Sequence, residues 1–150
     1  MSHFTRASLI CLASTALVGA APIAGPAAVR TYTIPLTSQA VTNFAHPSGG
    51  TGDPSGSGSV SLAIDPDTKL VCYRFKLSVE SDPMMAHIHV GAPLHVGAPL
   101  VTLFTGTRSK LVDCAPSTHS QLAEINADPS DYYVSVDTTA YPDGALRGQL

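Results

Sequence analysis

Apolar and polar residues alternate along most of the chain with a period of two, the spacing that sends successive side chains to opposite faces of a β-strand. Residues 31–39 set Tyr32, Ile34 and Leu36 against Thr31, Thr33 and Thr37, and Pro35 inside the run predicts an edge or irregular strand. Val60, Leu62 and Ile64 share a face over 59–64. Over 70–79, Val71, Tyr73, Phe75, Leu77 and Val79 oppose Cys72, Arg74, Lys76 and Ser78. Asp65-Pro66-Asp67-Thr68 between these runs is a turn, so together they predict the clearest hairpin of the chain. Further strands are expected over 84–90, 100–104, 131–138 and 145–150, the last after a Tyr141-Pro142-Asp143-Gly144 turn. Residues 47–58, PSGGTGDPSGSG, read as a flexible loop, and 105–113 as a loop that delivers Cys114. The single helical candidate is 117–127: Thr118-His119-Ser120-Gln121 matches a capping box, Leu122 and Ile125 are spaced i, i+3, and Pro129 stops it. About seven short strands and one short helix predict an all-β fold, a sandwich or small barrel.

Composition changes this picture at the start of the chain. Residues 7–21 are apolar and small, follow Arg6, and are too short to span a bilayer comfortably. This is the pattern of a secretory signal peptide over 1–27, with cleavage near 20, at Val18-Gly19-Ala20, or near 27. Its removal leaves one domain over 31–150, large enough for a single core, with no further membrane span expected. Twelve Gly, twelve Pro and no Trp in 150 residues favour turns and short strands over long helices.

Export also bears on the cysteines. Cys11 leaves with the leader, so Cys72 and Cys114 remain as an even pair in an oxidising compartment. A disulfide is favoured over a shared metal, because no Cys-x-x-Cys spacing is present. The net charge of −3, with no basic block, argues against a nucleic-acid partner.

Candidate chemistry concentrates in residues 86–100, AHIHVGAPLHVGAPL. Strand alternation puts His87 and His89 on one face, and the hexapeptide HVGAPL occurs twice in tandem, over 89–94 and 95–100. The repeat reads as added loop length, which costs little at a surface. Ser, His and Asp residues are all present, but no Gly-x-Ser-x-Gly elbow or other nucleophile context accompanies them, so no catalytic residue is assigned. Met84 and Met85 are expected to fill space in the core or at an edge.

Ala86-His87-Ile88-His89, followed by a Gly/Pro loop, and the ending YVSVDTTAYPDGALRGQL over 133–150 together resemble the CHRD domain, a module named from chordin that also occurs alone in secreted bacterial proteins. The resemblance covers about residues 31–150, and Leu146-Arg147-Gly148-Gln149-Leu150 after the Pro-Asp-Gly turn is its most specific part. Single-domain members tend to carry two cysteines placed like Cys72 and Cys114, which supports the bridge. The chain departs from the family pattern where Ser135 and Asp137 replace Asn and His, and where Ala145 replaces Glu. The resemblance implies an antiparallel β-sandwich, immunoglobulin-like or similar to copper/zinc superoxide dismutase. It implies a secreted interaction or matrix module, and no enzymatic activity.

Two arrangements of the histidines follow. In the favoured one, His87, His89, Asp137 and Arg147 form a polar network between neighbouring strands, since Asp137 lies opposite the apolar Val134/Val136 face. In the alternative, His87, His89 and Asp137 bind Zn²⁺ or Cu²⁺ in a redox or metal-handling role, with His46, His95 or His119 as a further ligand. No cofactor is required by the first arrangement. The expected partner is an extracellular or envelope protein or polymer, with secretion or periplasmic residence.

Overall fold

The apolar face of each alternating run turns inward, and the strands wrap around it. The computed structural model describes residues 28–43, 46, 48–106 and 111–150, so the leader expected over 1–27 lies outside the described residues. The strands are β1 (Arg30–Thr37), β2 (Ser57–Asp65), β3 (Leu70–Ser78), β4 (Pro83–Val90), β5 (Pro99–Thr105), β6 (Val112–Pro116), β7 (Tyr132–Thr138) and β8 (Leu146–Gln149). One helix, α1 (His119–Ala127), and a 3-10 turn (Pro129–Asp131) separate β6 from β7.

All eight strands belong to one antiparallel sheet, in the order β5-β4-β7-β8-β1-β2-β3-β6. Its two end strands, β5 and β6, approach each other without pairing. Near that seam Phe104 packs edge-on against Phe75, with ring centroids 5.6 Å apart. The sheet therefore curls into a nearly closed barrel of eight strands, one of the two architectures the alternation allowed, whereas the family resemblance implied a sandwich of about seven. Curling hides most of the edge that an open sheet would expose.

The strand absent from the sequence-based expectation is β6. Of its residues only Ala115 is buried, so no alternation marks it. Pairing with β3 creates it, and Cys72 and Cys114 are directly opposed in that pairing and joined by a disulfide, with Cα atoms 3.9 Å apart. Pro35 behaves as its chemistry demands. β1 pairs along its whole length with β2, yet meets β8 in register only at Thr37 and Arg147.

Ile34, Leu36, Val60, Leu62, Ile64, Val71, Ile88, Val134, Val136 and Leu146 fill the core. Thr118 caps α1 in a capping box with Gln121, and the fully buried Leu122 and Ile125 join the same core. Buried Asn126 accepts from Tyr32 Oη and donates to the Ile64 carbonyl, fastening the helix to β1 and β2. The Gly/Ser/Pro loop is not featureless. Its Asp53 is fully buried and accepts from the backbone N–H of Glu80 (2.8 Å) and from the N–H and Oγ of Ser55 (3.0 and 2.8 Å). No helix among the described residues is long and apolar enough to cross a membrane.

Candidate functional site

Both faces of β7 are covered. Val134 and Val136 point into the barrel, while Tyr133 and Asp137 on the opposite side are also buried. The cover comes from residues 91–98, which hold the end of one HVGAPL copy and the start of the other, and from the turn over 141–144. Pairing aligns His87 with Ser135, His89 with Tyr133, Ser135 with Arg147 and Tyr133 with Gln149. Period-two alternation thus delivers all of these side chains to the outer face of β4, β7 and β8.

A stack of rings and charge runs across this face. Arg147, 3 % exposed, places its guanidinium carbon 3.4 Å from the centre of the Tyr133 ring. Tyr133 stacks on His89 at 4.8 Å, nearly parallel, and His89 meets His87 edge-on at 5.5 Å. A cation over a tyrosine face is attracted to the ring quadrupole, more strongly where water is excluded.

The same residues tie down the covering loop. Arg147 Nη1 donates to Thr42 Oγ1 (2.8 Å) and to the His95 carbonyl (2.9 Å), and Nη2 donates to the Ala92 carbonyl (3.0 Å). The Gly97 N–H donates to Tyr133 Oη (3.3 Å), and the Gly97 carbonyl accepts from His89 Nδ1 (2.9 Å). Gln149 Nε2 adds donations to the carbonyls of Gly91, Ser130 and Tyr132. A Cβ at position 97 would run into the Val90 carbonyl, so only glycine fits there.

Electrostatics follow from burial. Burial pushes the His89 and His87 imidazoles below their ordinary value, so both are neutral at pH 7. Because a carbonyl can only accept, His89 Nδ1 carries the proton, and Nε2 is a bare acceptor that is buried without a partner. Burial pushes the Asp137 carboxyl up to about 6; nearby Asp143 adds to the rise and a 3.0 Å hydrogen bond from Ser135 Oγ opposes it. Burial also lowers the Arg147 guanidinium from its ordinary value.

His87, His89, Asp137 and Arg147 therefore share one face. Among the described residues, however, no hydrogen bond joins any two of them; their bonds run to loop backbone, to Thr42 and to Ser135. Nor do three His, Cys, Asp or Glu side chains gather there as a metal-binding group. The pairing explains why: Asp137 aligns with Met85 while His89 aligns with Tyr133, four residues along β7. The His46 ring contacts Asn43, the His95 ring contacts the Pro93 carbonyl, and the His119 ring lies 3.8 Å from Asp67, so none of these imidazoles joins His87 and His89. Met84 and Met85 are half-buried in β4.

The family model of the CHRD domain matches residues 32–150. The chain belongs to the CHRD family. No curated protein and no solved structure matches it. The two stretches that carry the CHRD signature, AHIH and the C-terminal segment, are the three neighbouring strands β4, β7 and β8. Ser135 and Asp137, the two CHRD positions where this chain departs from Asn and His, hydrogen-bond to each other. Ala145, the third departure, is fully buried.

Tyr133, Thr42, Gly97 and Gln149 were not assigned roles from the CHRD sequence. Alternation along β7 places Tyr133 on the face of Asp137, and that signal was available. Nothing local marks Thr42 or Gly97, because both are recruited by the closure of loops remote in sequence.

Proposed function

We propose that this CHRD domain is an exported, non-enzymatic binding module, secreted or resident in the periplasm, whose recognition surface is the loop-covered face of β4, β7 and β8. The observation that carries this reading is the engagement of Arg147. A nearly inaccessible guanidinium directs its hydrogen bonds to two loop carbonyls and a threonine, and so shapes the loop over 91–98. Val90, Leu94 and Val96 in and beside that loop stay exposed, and recognition residues commonly sit on loops held by a rigid scaffold. Ser135 donates to a carboxylate and not to an imidazole, which is not the arrangement of an activated nucleophile. The Cys72–Cys114 bridge supports residence in an oxidising compartment.

Expression of the full chain, cell fractionation and intact-mass measurement test the first part. The expected product is extracytoplasmic, cleaved near residue 20 or 27, and oxidised at both cysteines; a full-length cytosolic product with free thiols refutes export. Retention on an envelope or matrix fraction tests the second part. Wild type should be retained and Arg147→Met, which frees the loop, should not; equal retention removes the loop-covered face from the reading.

A further inference from the structure

Between the loop over 91–98 and the turn over 141–144, the outer face of β7 opens into a cleft of about 200 Å³. That is below the ~300–1,000 Å³ common for sites that take drug-sized ligands, so its occupant is compact. Val41, Val96, Pro142 and Leu146 contribute apolar wall, while Ser135, Asp137, His89 and Arg147 contribute the polar lining.

The polar lining is rich in acceptors and short of free donors. His89 Nε2 is a buried acceptor without a donor. Asp137, 8 % exposed, is a second acceptor, satisfied on one oxygen by Ser135. The strong donor of the lining, Arg147, is already engaged by Thr42, Ala92 and His95. Acceptors held in such a lining pair with groups that donate, so a ligand that brings O–H or N–H groups fits the cleft.

Charge selects among such ligands. An ammonium would be drawn to Asp137 and Asp143 but would lie beside the buried Arg147 cation, and an anion would face Asp137 and, at the rim, Asp143. A neutral molecule rich in hydroxyl groups meets neither repulsion, and its oxygens can also accept from the Thr42 hydroxyl, which itself only accepts from Arg147. We propose that the cleft binds one neutral sugar ring or a polyol of that size, free or as the terminal unit of an extracellular glycan. This names a ligand class for the binding module proposed above and rests on that reading.

The test uses the oxidised protein with isotope-labelled histidine. It is titrated with neutral monosaccharides and polyols, an aminosugar, a uronic acid, and neutral oligosaccharides ending in the same rings. A neutral ring should move the His89 Nε2 resonance saturably. Asp137→Asn should weaken that binding by about tenfold or more, the loss expected for one hydrogen bond to a charged acceptor. His89→Phe preserves an aromatic partner for Tyr133 but removes the acceptor, together with the bond to the Gly97 carbonyl, and should abolish binding. Core methyl resonances of Ile34 and Val134 report whether each variant is folded. Tighter binding of the oligosaccharide identifies a glycan terminus as the source, and equal or weaker binding identifies the free sugar. The proposal is overturned if folded wild-type protein binds no neutral ring at millimolar concentration. Preference for the aminosugar or uronic acid, or binding unchanged in Asp137→Asn, overturns it equally. Failure of export in cells would leave these titrations intact, and retention by a protein partner without any sugar response would remove only the ligand class.

Discussion

Arg147→Met isolates what the buried guanidinium contributes. The methionine fills much of the space left by the arginine stem but offers no donor and no charge. Three hydrogen bonds are lost, to Thr42 Oγ1, the His95 carbonyl and the Ala92 carbonyl, together with the contact over Tyr133 at 3.4 Å. Hydrogen bonds to a charged group contribute ~1.5–3 kcal/mol each, and a desolvated cation–π contact ~2 kcal/mol. Against these stands the cost of burying the cation, several kcal/mol, which the variant recovers. The balance is a destabilisation of about 3 kcal/mol, a large fraction of the ~5–15 kcal/mol that holds a typical domain. Urea unfolding followed by circular dichroism, suitable for a chain without tryptophan, should show the loss, with a fall in Tm of about 10 °C. Hydrogen exchange should localise it. The amides of Gly91 and His95, bonded to the carbonyls of Asp131 and Ala92, should exchange faster while those of Val134 and Val136 report only the global change. Arg147→Lys, which keeps the charge but not the planar fork, should fall between the two. A stability change below about 0.5 kcal/mol, with loop exchange unaltered, would refute the role given to this residue.

Asp137 predicts an unusual pH response. Its folded value of about 6 lies above the ordinary carboxylate value of 3.8, so the folded state binds its proton more tightly than the unfolded state does. Its contribution is least unfavourable below pH 4, worsens as pH rises through 6, and is removed in Asp137→Asn, which should gain about 2 kcal/mol at pH 7 in urea titrations. Asp53 has the opposite sign. The Glu80 N–H, foremost, holds its carboxyl below the ordinary range, so its contribution is present above pH 4 and lost as pH falls through its lower folded value. Asp53→Ala strands those donors; a loss of about 2–3 kcal/mol and protease cleavage within 48–56 are expected, and resistance equal to wild type would contradict the anchoring role. Paired Cys72→Ser and Cys114→Ser substitutions should lower stability by about 4 kcal/mol in the chain-entropy account, read from the shift in urea midpoint. Gly97→Ala should break the contact with Tyr133 and His89, visible as a change in the His89 ring resonances, because its Cβ has no room beside Val90.

Seven of the eight strands were legible because apolar residues recur along each with a period of two on the face that turns into the barrel, even in β7, whose outer face is covered as well. β6 was not, since it exposes nearly everything and is held by β3 and a disulfide. Closure of the sheet was also illegible: alternation states which face is inward, not whether the inward faces meet across two sheets or around one. The candidate residues of β4, β7 and β8 were brought to one face as parity requires, but their hydrogen-bond partners were not predictable. Apart from Ser135, two residues from Asp137 on the same strand face, those partners are Thr42 and backbone carbonyls of loops remote in sequence, and a carbonyl carries no sequence signal.

The tandem hexapeptide shows the division most directly. Both copies read HVGAPL. His89 lies in β4 and joins the ring stack, whereas His95 is exposed in the loop and contributes its carbonyl to Arg147. Leu94 takes a left-handed backbone with φ of 65° in solvent, whereas Leu100 lies in β5 against the core. Sequence alone determined where strands alternate, where turns stop them and which residues share a face, because these follow from the geometry of a few adjacent residues. Which copy becomes strand and which becomes loop was decided by the neighbours each one meets. β7 offers a pairing partner to the first histidine, and Arg147 offers donors to the carbonyl of the second.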